Sequence, residues 1–155
     1  MDFTTRTEVE APIGYVFDQL SDFAGFEQAA RRRGAEVLRT DRQDEAGLGA
    51  QWRASFAYAG KPRQMTLELD EYDRPERMRF ALGSKNLTGE LIVELTALSG
   101  DRSRMQVKLR LRPVTMTARV LLQGLRLAKA RSLSRMQERV ALYARGVEAR
   151  FAGAA

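Results

Sequence analysis

The chain has 155 residues, 44% of them hydrophobic and 30% charged, a balance ordinary for one soluble globular domain spanning 1–155. It contains no histidine and no cysteine, which excludes zinc sites of the usual ligand sets, Ser-His-Asp triads and Cys-His nucleophiles. Any proton transfer would fall to Asp, Glu, Lys or Tyr with shifted pKa values. The net charge of +6 is carried by the last part of the chain. Residues 114–155 hold Arg119, Arg126, Lys129, Arg131, Arg135, Arg139, Arg145 and Arg150 against only Glu138 and Glu148, so residues 1–113 are neutral. Such a basic segment is a solvated face or a docking surface for nucleic acid, anionic lipid or an acidic partner.

In chain order, Phe3, Thr5, Thr7 and Val9 alternate with Thr4, Arg6, Glu8 and Glu10, which predicts an opening strand. Pro12 suits the first turn of a short helix with Val16, Phe17 and Leu20 on one side. Ser21 and Asp22 are N-cap residues for a second short helix anchored by Phe23 and Phe26. Arg31, Arg32, Arg33 and Gly34 form its C-terminal cap. A strand follows over 35–42, then a turn with Gly47 and Gly49.

The clearest pattern comes next. Trp52, Ala54, Phe56 and Tyr58 share one side of a strand, and Gly60-Lys61-Pro62 turns it into Met65, Leu67 and Leu69. Met78 and Phe80 with Leu82, then Leu87, Gly89, Leu91, Val93 and Leu95, then Met105, Val107, Leu109 and Leu111 repeat the period of two. Counting the strand over 35–42, this is a six-stranded antiparallel meander, apolar on one face and charged on the other. Arg79, Arg110 and Arg112 fall on the charged face and are expected to form cross-strand pairs. Asp70, Glu71, Asp73 and Glu76 are expected to be solvated.

The apolar face needs a cover, and the stretch 114–151 is the one element large enough. Leu122, Leu125, Leu133, Met136, Val140, Tyr143, Val147 and Phe151 recur with helical period, giving a helix of more than about 50 Å. Gly124 is the expected place for a kink or break. On an ideal helix Lys129 lies about 20° from Leu122 and Val140, inside the apolar stripe and flanked by Arg126. A buried ammonium is costly, so it either snorkels outward or holds the acid end of an amphipathic ligand at a cavity mouth.

This order of elements resembles the START/Bet v 1-like helix-grip superfamily, and within it the bacterial polyketide cyclase/dehydrase and lipid-transport group. The residues carrying the resemblance are Val9-Glu10-Ala11-Pro12, Val16-Phe17, Leu20-Ser21-Asp22, and Gly47-x-Gly49 followed by Trp52. The resemblance implies an α+β helix-grip fold, in which a curved antiparallel sheet wraps the last helix and leaves a cavity for lipids, sterols or polyketides. The fold alone assigns no activity.

On that reading the ligand-facing set is Trp52, Phe56, Tyr58, Met65, Leu67, Met78, Phe80, Leu91, Val93, Met105 and Val107 from the sheet. Leu122, Leu125, Lys129 and Met136 face it from the helix, and Gly89 leaves room on a central strand. Aromatic walls with methionines suit an adaptable apolar pocket. The expected function is binding or carriage of a small hydrophobic or amphipathic ligand such as a lipid, fatty acid or polyketide-like molecule. No metal and no cofactor are expected, and the chain acts as a monomer or homodimer. A cyclase or aromatase is the enzymatic alternative, with Tyr58 and Tyr143 as candidate acids and no evident base beside either. A third reading is an interaction module that docks RNA, an anionic membrane or a protein through the basic helix. No stretch of about eighteen apolar residues and no leader of the secretory type occurs, so the expected location is the cytoplasm.

Overall fold

Residues 1–58 and 60–154 are described by the computed structural model. Strand β1 (Asp2–Val9) leads into helices α1 (Ile13–Leu20) and α2 (Phe23–Arg32). A meander follows: β2 (Glu36–Arg39), β3 (Gln51–Tyr58), β4 (Lys61–Asp73), β5 (Arg77–Gly83), β6 (Leu87–Ala97) and β7 (Ser103–Pro113). The seven strands form one antiparallel sheet in the order β1-β7-β6-β5-β4-β3-β2. The opening strand therefore closes against the last one, and the meander wraps between them.

Local chemistry sets the element ends. Asp22 caps α2 by accepting from the Gly25 N–H at 3.1 Å. The chain leaves α2 through Gly34, whose φ of +94° is strained for residues with a Cβ. The turn expected at 60–62 is tighter, because Lys61 and Pro62 already pair with Tyr58 and Ala57 inside the β3–β4 ladder.

The C-terminal segment is two helices rather than one. Thr115 caps α3 (Met116–Leu127) by accepting from the Ala118 N–H at 3.2 Å, and α4 runs from Lys129 to Ala154. The break falls at Ala128 (φ −98°, ψ 15°), four residues beyond the expected Gly124, and the Ala128 N–H is returned to the Gly124 carbonyl at 3.2 Å. At about 1.5 Å per residue, α4 alone spans roughly 39 Å.

The concave face of the sheet is solid at one end. Val9, Val16, Phe17, Leu69, Met78, Met105, Ala144 and Val147 are at most 2% exposed and join β1, α1, the middle of the sheet and the C-terminal half of α4. Each large side chain among them contributes on the order of 1.5–3 kcal/mol through removal from water. Polar ties fix the same end: the Glu148 carboxylate accepts from the Glu10 N–H at 2.8 Å, and Arg145 donates to the Glu8 carbonyl at 2.8 Å. Arg150 donates to Gln19 at 2.6 Å, and the Tyr15 and Phe151 rings lie 5.1 Å apart.

The convex face carries an ion-pair lattice. Arg79 reaches Asp70, Glu71 and Glu90 at 3.4–3.6 Å, Arg77 reaches Glu71 and Glu94, Arg112 reaches Glu90, and Arg110 lies 4.0 Å from Asp2. The expected cross-strand pairs of Arg79, Arg110 and Arg112 are present. Asp70 and Glu71, expected to be simply solvated, are half-buried in this lattice. The cause is a β-bulge between Leu69 and Glu71, which places two successive carboxylates on the outer face against Arg79. The bulge also advances the inward phase by one residue, so Tyr72 points in. Its hydroxyl donates to Ser21 at 2.7 Å and its ring packs 5.3 Å from Phe17.

Asp41 organises the loop before β3. It accepts from Arg39 at 2.6 and 2.8 Å and from the N–H groups of Gln43 and Gln51 at 2.9 and 2.7 Å. The Arg39 guanidinium, reinforced by the Gln51 N–H, holds its carboxyl well below the usual carboxylate range. A depressed folded-state pKa gives stability that is present above the unfolded value of about 4 and lost as pH falls. Asp41→Asn is therefore expected to lower the melting temperature at pH 6. That deficit should narrow as pH drops below about 4, and a deficit independent of pH would contradict this role.

Candidate functional site

The other end of the concave face is hollow. An inner cavity of about 450 Å³ lies between the sheet, α2 and the middle of α4. An outer cavity of about 1060 Å³ lies between the far ends of the strands, α3 and the start of α4. They lie end to end, because consecutive inward positions on each strand pass from one to the other. Ala54 lines the inner and Phe56 the outer, and the same holds for Leu67 and Met65, Phe80 and Leu82, and Val107 and Leu109. Along α4 the corresponding pair is Val140 and Met136. The result is a trough running along the helix, with both volumes in the range of small-molecule sites.

Most of the residues expected to face a ligand line this trough. Trp52, Leu67, Met78, Phe80, Leu91, Val93, Met105 and Val107 line the inner cavity. Phe56, Tyr58, Met65, Leu122, Leu125 and Met136 line the outer one. Their burial is graded: Met78 and Met105 are closed off, whereas Phe56, Met65, Leu67, Phe80, Leu91, Leu125 and Met136 are only half-buried. Tyr58 stands at the rim and is 47% exposed.

Two positions differ from the expectation. Lys129 is exposed and lines neither cavity, because as the first residue of α4 it sits on the exposed turn at the helix break, although it keeps its phase with Met136 and Val140. Its Nζ lies 6.0 Å from the centre of the Phe3 ring. Its neighbour Arg126 is exposed as well. Gly89 does not widen the cavity. A Cβ there would collide with the Arg110 carbonyl oxygen on β7, so the glycine permits close approach of two backbones.

Several lining residues were not evident from the sequence. α2 supplies Phe23, Phe26, Glu27 and Ala30 to the inner cavity, and Arg139 joins from α4. Their signal was the apolar side of α2, but periodicity alone does not say whether that side aims at the trough or at the core. Arg63 lines the outer cavity and extends the inward series Arg63, Met65, Leu67, Leu69 by one period, a signal that was readable. Gln64, Thr66, Ser84, Lys85, Asn86, Ser132 and Arg135 add further polar groups to that wall.

Tyr143 brings a hydroxyl to the wall of the inner cavity. Its ring packs 5.5 Å from Phe26, and its hydroxyl is buried without a hydrogen-bond partner among the described residues. Burial pushes its pKa up to about 12, partly offset by Arg150, so the phenol is a proton donor throughout the physiological range. A buried, unsatisfied hydroxyl costs about 1–3 kcal/mol. Tyr143→Phe is accordingly expected to raise stability by about 1 kcal/mol in chemical denaturation while weakening ligands that carry a carbonyl or hydroxyl acceptor. A loss of stability in that variant would contradict the assignment.

Among the described residues, no three His, Cys, Asp or Glu side chains converge as a metal site, and no helix is long and apolar enough to cross a membrane. No protein-family profile and no curated protein matches the sequence. Solved structures do match its fold. The Zhui aromatase/cyclase from Streptomyces sp. R1128 aligns at a TM-score of 0.63 and 13% identity, over 90% of this chain and 92% of its own. TTHA0849 from Thermus thermophilus aligns at 0.63 and 20% identity, over 100% and 99%. A START superfamily protein from Mycobacterium smegmatis aligns at 0.57 and 18% identity, over 92% and 98%. With its seven-stranded antiparallel sheet curved around a C-terminal helix behind two short ones, the chain has the helix-grip fold of the START/Bet v 1-like superfamily.

Proposed function

We propose that the chain binds and carries a small hydrophobic or amphipathic molecule in the trough between sheet and α4. The observation that supports this best is the apolar wall of the inner cavity, where Glu27, Arg139, the Tyr143 hydroxyl and the Trp52 indole are the polar side-chain groups. Desolvation in such a preformed space is a sufficient driving force at about 25 cal/mol per Å² of apolar area removed from water. Native mass spectrometry of freshly purified protein tests the reading. The expected spectrum contains a co-purified lipid-like adduct, or takes one up stoichiometrically from a mixture of fatty acids, alcohols and sterols. A chain that stays bare through both steps counts against it.

The cyclase reading draws on the same cavity, since Glu27 now provides a carboxylate in the space that holds Tyr143. Turnover of a polyketide-like substrate, lost in Glu27→Gln and Tyr143→Phe, would favour it over carriage.

A surface role is supported by α3. One side of this helix, with Ala118, Leu122 and Leu125, faces β7 and the outer cavity. Met116, Val120 and Leu127 fall within about 40° of one another on the opposite side, and they are 73%, 66% and 91% exposed. Arg119 and Arg126 flank them. An amphipathic face of this kind suits an anionic bilayer. Salt-sensitive binding to phosphatidylserine-containing vesicles, lost in Val120→Asp, is the expected result. Equal binding to neutral vesicles would remove the electrostatic part of this reading.

A further inference from the structure

The outer cavity differs in chemistry from the inner one, and the difference selects a ligand class. Its wall carries three cations, Arg63, Lys85 and Arg135, and no Asp or Glu. Among the described residues none of the three makes an ion pair. Among the described residues the sole side-chain hydrogen bond of Arg63 is a long one, 3.4 Å from Nε to the Tyr58 carbonyl. On the outer surface of the molecule the arrangement is the reverse: Arg77, Arg79 and Arg102 each meet at least two carboxylates.

Arg63 is the most telling of the three. It occupies an inward position of β4, paired across the ladder with Phe56 and half-buried beside Met65. A guanidinium on an apolar concave wall gives up hydration, and among the described residues no carboxylate compensates it. A concave surface of one sign also concentrates its potential toward the opening.

We propose that the outer cavity takes an anionic head group, a carboxylate or a phosphate monoester, held by Arg63, Lys85 and Arg135, while the apolar chain of the same ligand extends past Phe56 into the inner cavity. This rests on the carrier reading above and adds the charge and the orientation of the ligand. The guanidinium of Arg63 supplies a planar pair of donors suited to either oxyanion, and the exposed Lys85 of the β5–β6 turn and Arg135 of α4 line the same space. The role anticipated for Lys129 thus passes to three residues that do line the space.

The test is a competition series against a fluorescent apolar probe. It uses palmitic acid, hexadecanol, methyl palmitate and hexadecyl phosphate, which share one chain length. The acid, the phosphate or both should bind at least about tenfold tighter than the alcohol and the ester, and which of the two binds tighter tells a free fatty acid from a phospholipid-type head. In the triple variant Arg63→Met, Lys85→Met, Arg135→Met that advantage should fall to about threefold or less, with hexadecanol affinity unchanged as the control for folding. Raising the salt concentration should erode the same advantage in the unmodified protein, which keeps the test decisive should the variant misfold. Equal affinity for acid, phosphate, alcohol and ester in the unmodified protein overturns the anionic assignment and leaves the carrier reading standing. Failure of all four to displace the probe overturns both.

Discussion

Leu69→Ala is expected to destabilise the protein by about 3–5 kcal/mol, and Leu67→Ala by only about 1–2 kcal/mol. The two residues are the same type, on the same strand and the same face, one period apart. Leu69 is fully buried in the packed end, opposite Phe80 on β5, with the Ala50 carbonyl accepting its N–H at 2.9 Å. Truncation there removes the transfer energy of the side chain and leaves a void that the surrounding atoms fill only partly. Leu67 is half-buried and already borders the inner cavity, so its truncation enlarges an existing space and forfeits fewer contacts. Urea unfolding followed by linear extrapolation measures both. Equal losses at the two sites would mean an interior packed evenly along its length.

The second large effect is at Gly89, where alanine is expected to cost about 3 kcal/mol or more. The obstacle is the backbone carbonyl of Arg110, with Leu111 Cδ2 3.3 Å away as a further neighbour. A side-chain tip could swing clear, but this carbonyl sits inside the β6–β7 ladder, paired on either side from Leu87↔Pro113 to Ala97↔Ser103. Relief requires β6 and β7 to separate, and β7 also carries β1. A melting temperature within a degree or two of the unmodified protein, for a domain of this size, would refute the close approach.

The strands were legible because their physics is local. Alternation at Trp52–Tyr58 or Met105–Leu111 follows from a pleated backbone with one wet face, and a stripe of that size demanded the helix that covers it. What escaped the sequence depends on events that alternation does not encode. The bulge after Leu69 reverses the phase for three residues, so Tyr72 enters the interior and Glu71 joins the outer lattice. The helix break at Ala128 has no glycine or proline to announce it, and it leaves Lys129 on an exposed turn at the very start of α4. Gly89 read as vacant space because a missing Cβ looks the same whether a ligand or another backbone takes its place. Arg63 could have been found by carrying the β4 alternation one step further toward the turn, since an inward arginine stands out against Met65, Leu67 and Leu69.

The molecule is polarised along its trough. The C-terminal half of α4 is pinned to β1 and α1 by Arg145, Glu148 and Arg150, while its N-terminal half spans the hollow end. Any motion that admits a ligand is cheapest at the end with fewer buried contacts.

The protein contains a single tryptophan, and Trp52 borders the inner cavity, so one fluorescence titration reports directly on whether that space takes up a ligand. A fatty acid brominated in mid-chain quenches tryptophan on contact. Titrated into the purified protein, it should quench Trp52 emission saturably, with one ligand per chain, and the unbrominated acid should compete for the same site. Emission that stays constant to the solubility limit of the brominated acid would contradict the claim that an apolar chain lies between the sheet and its helix.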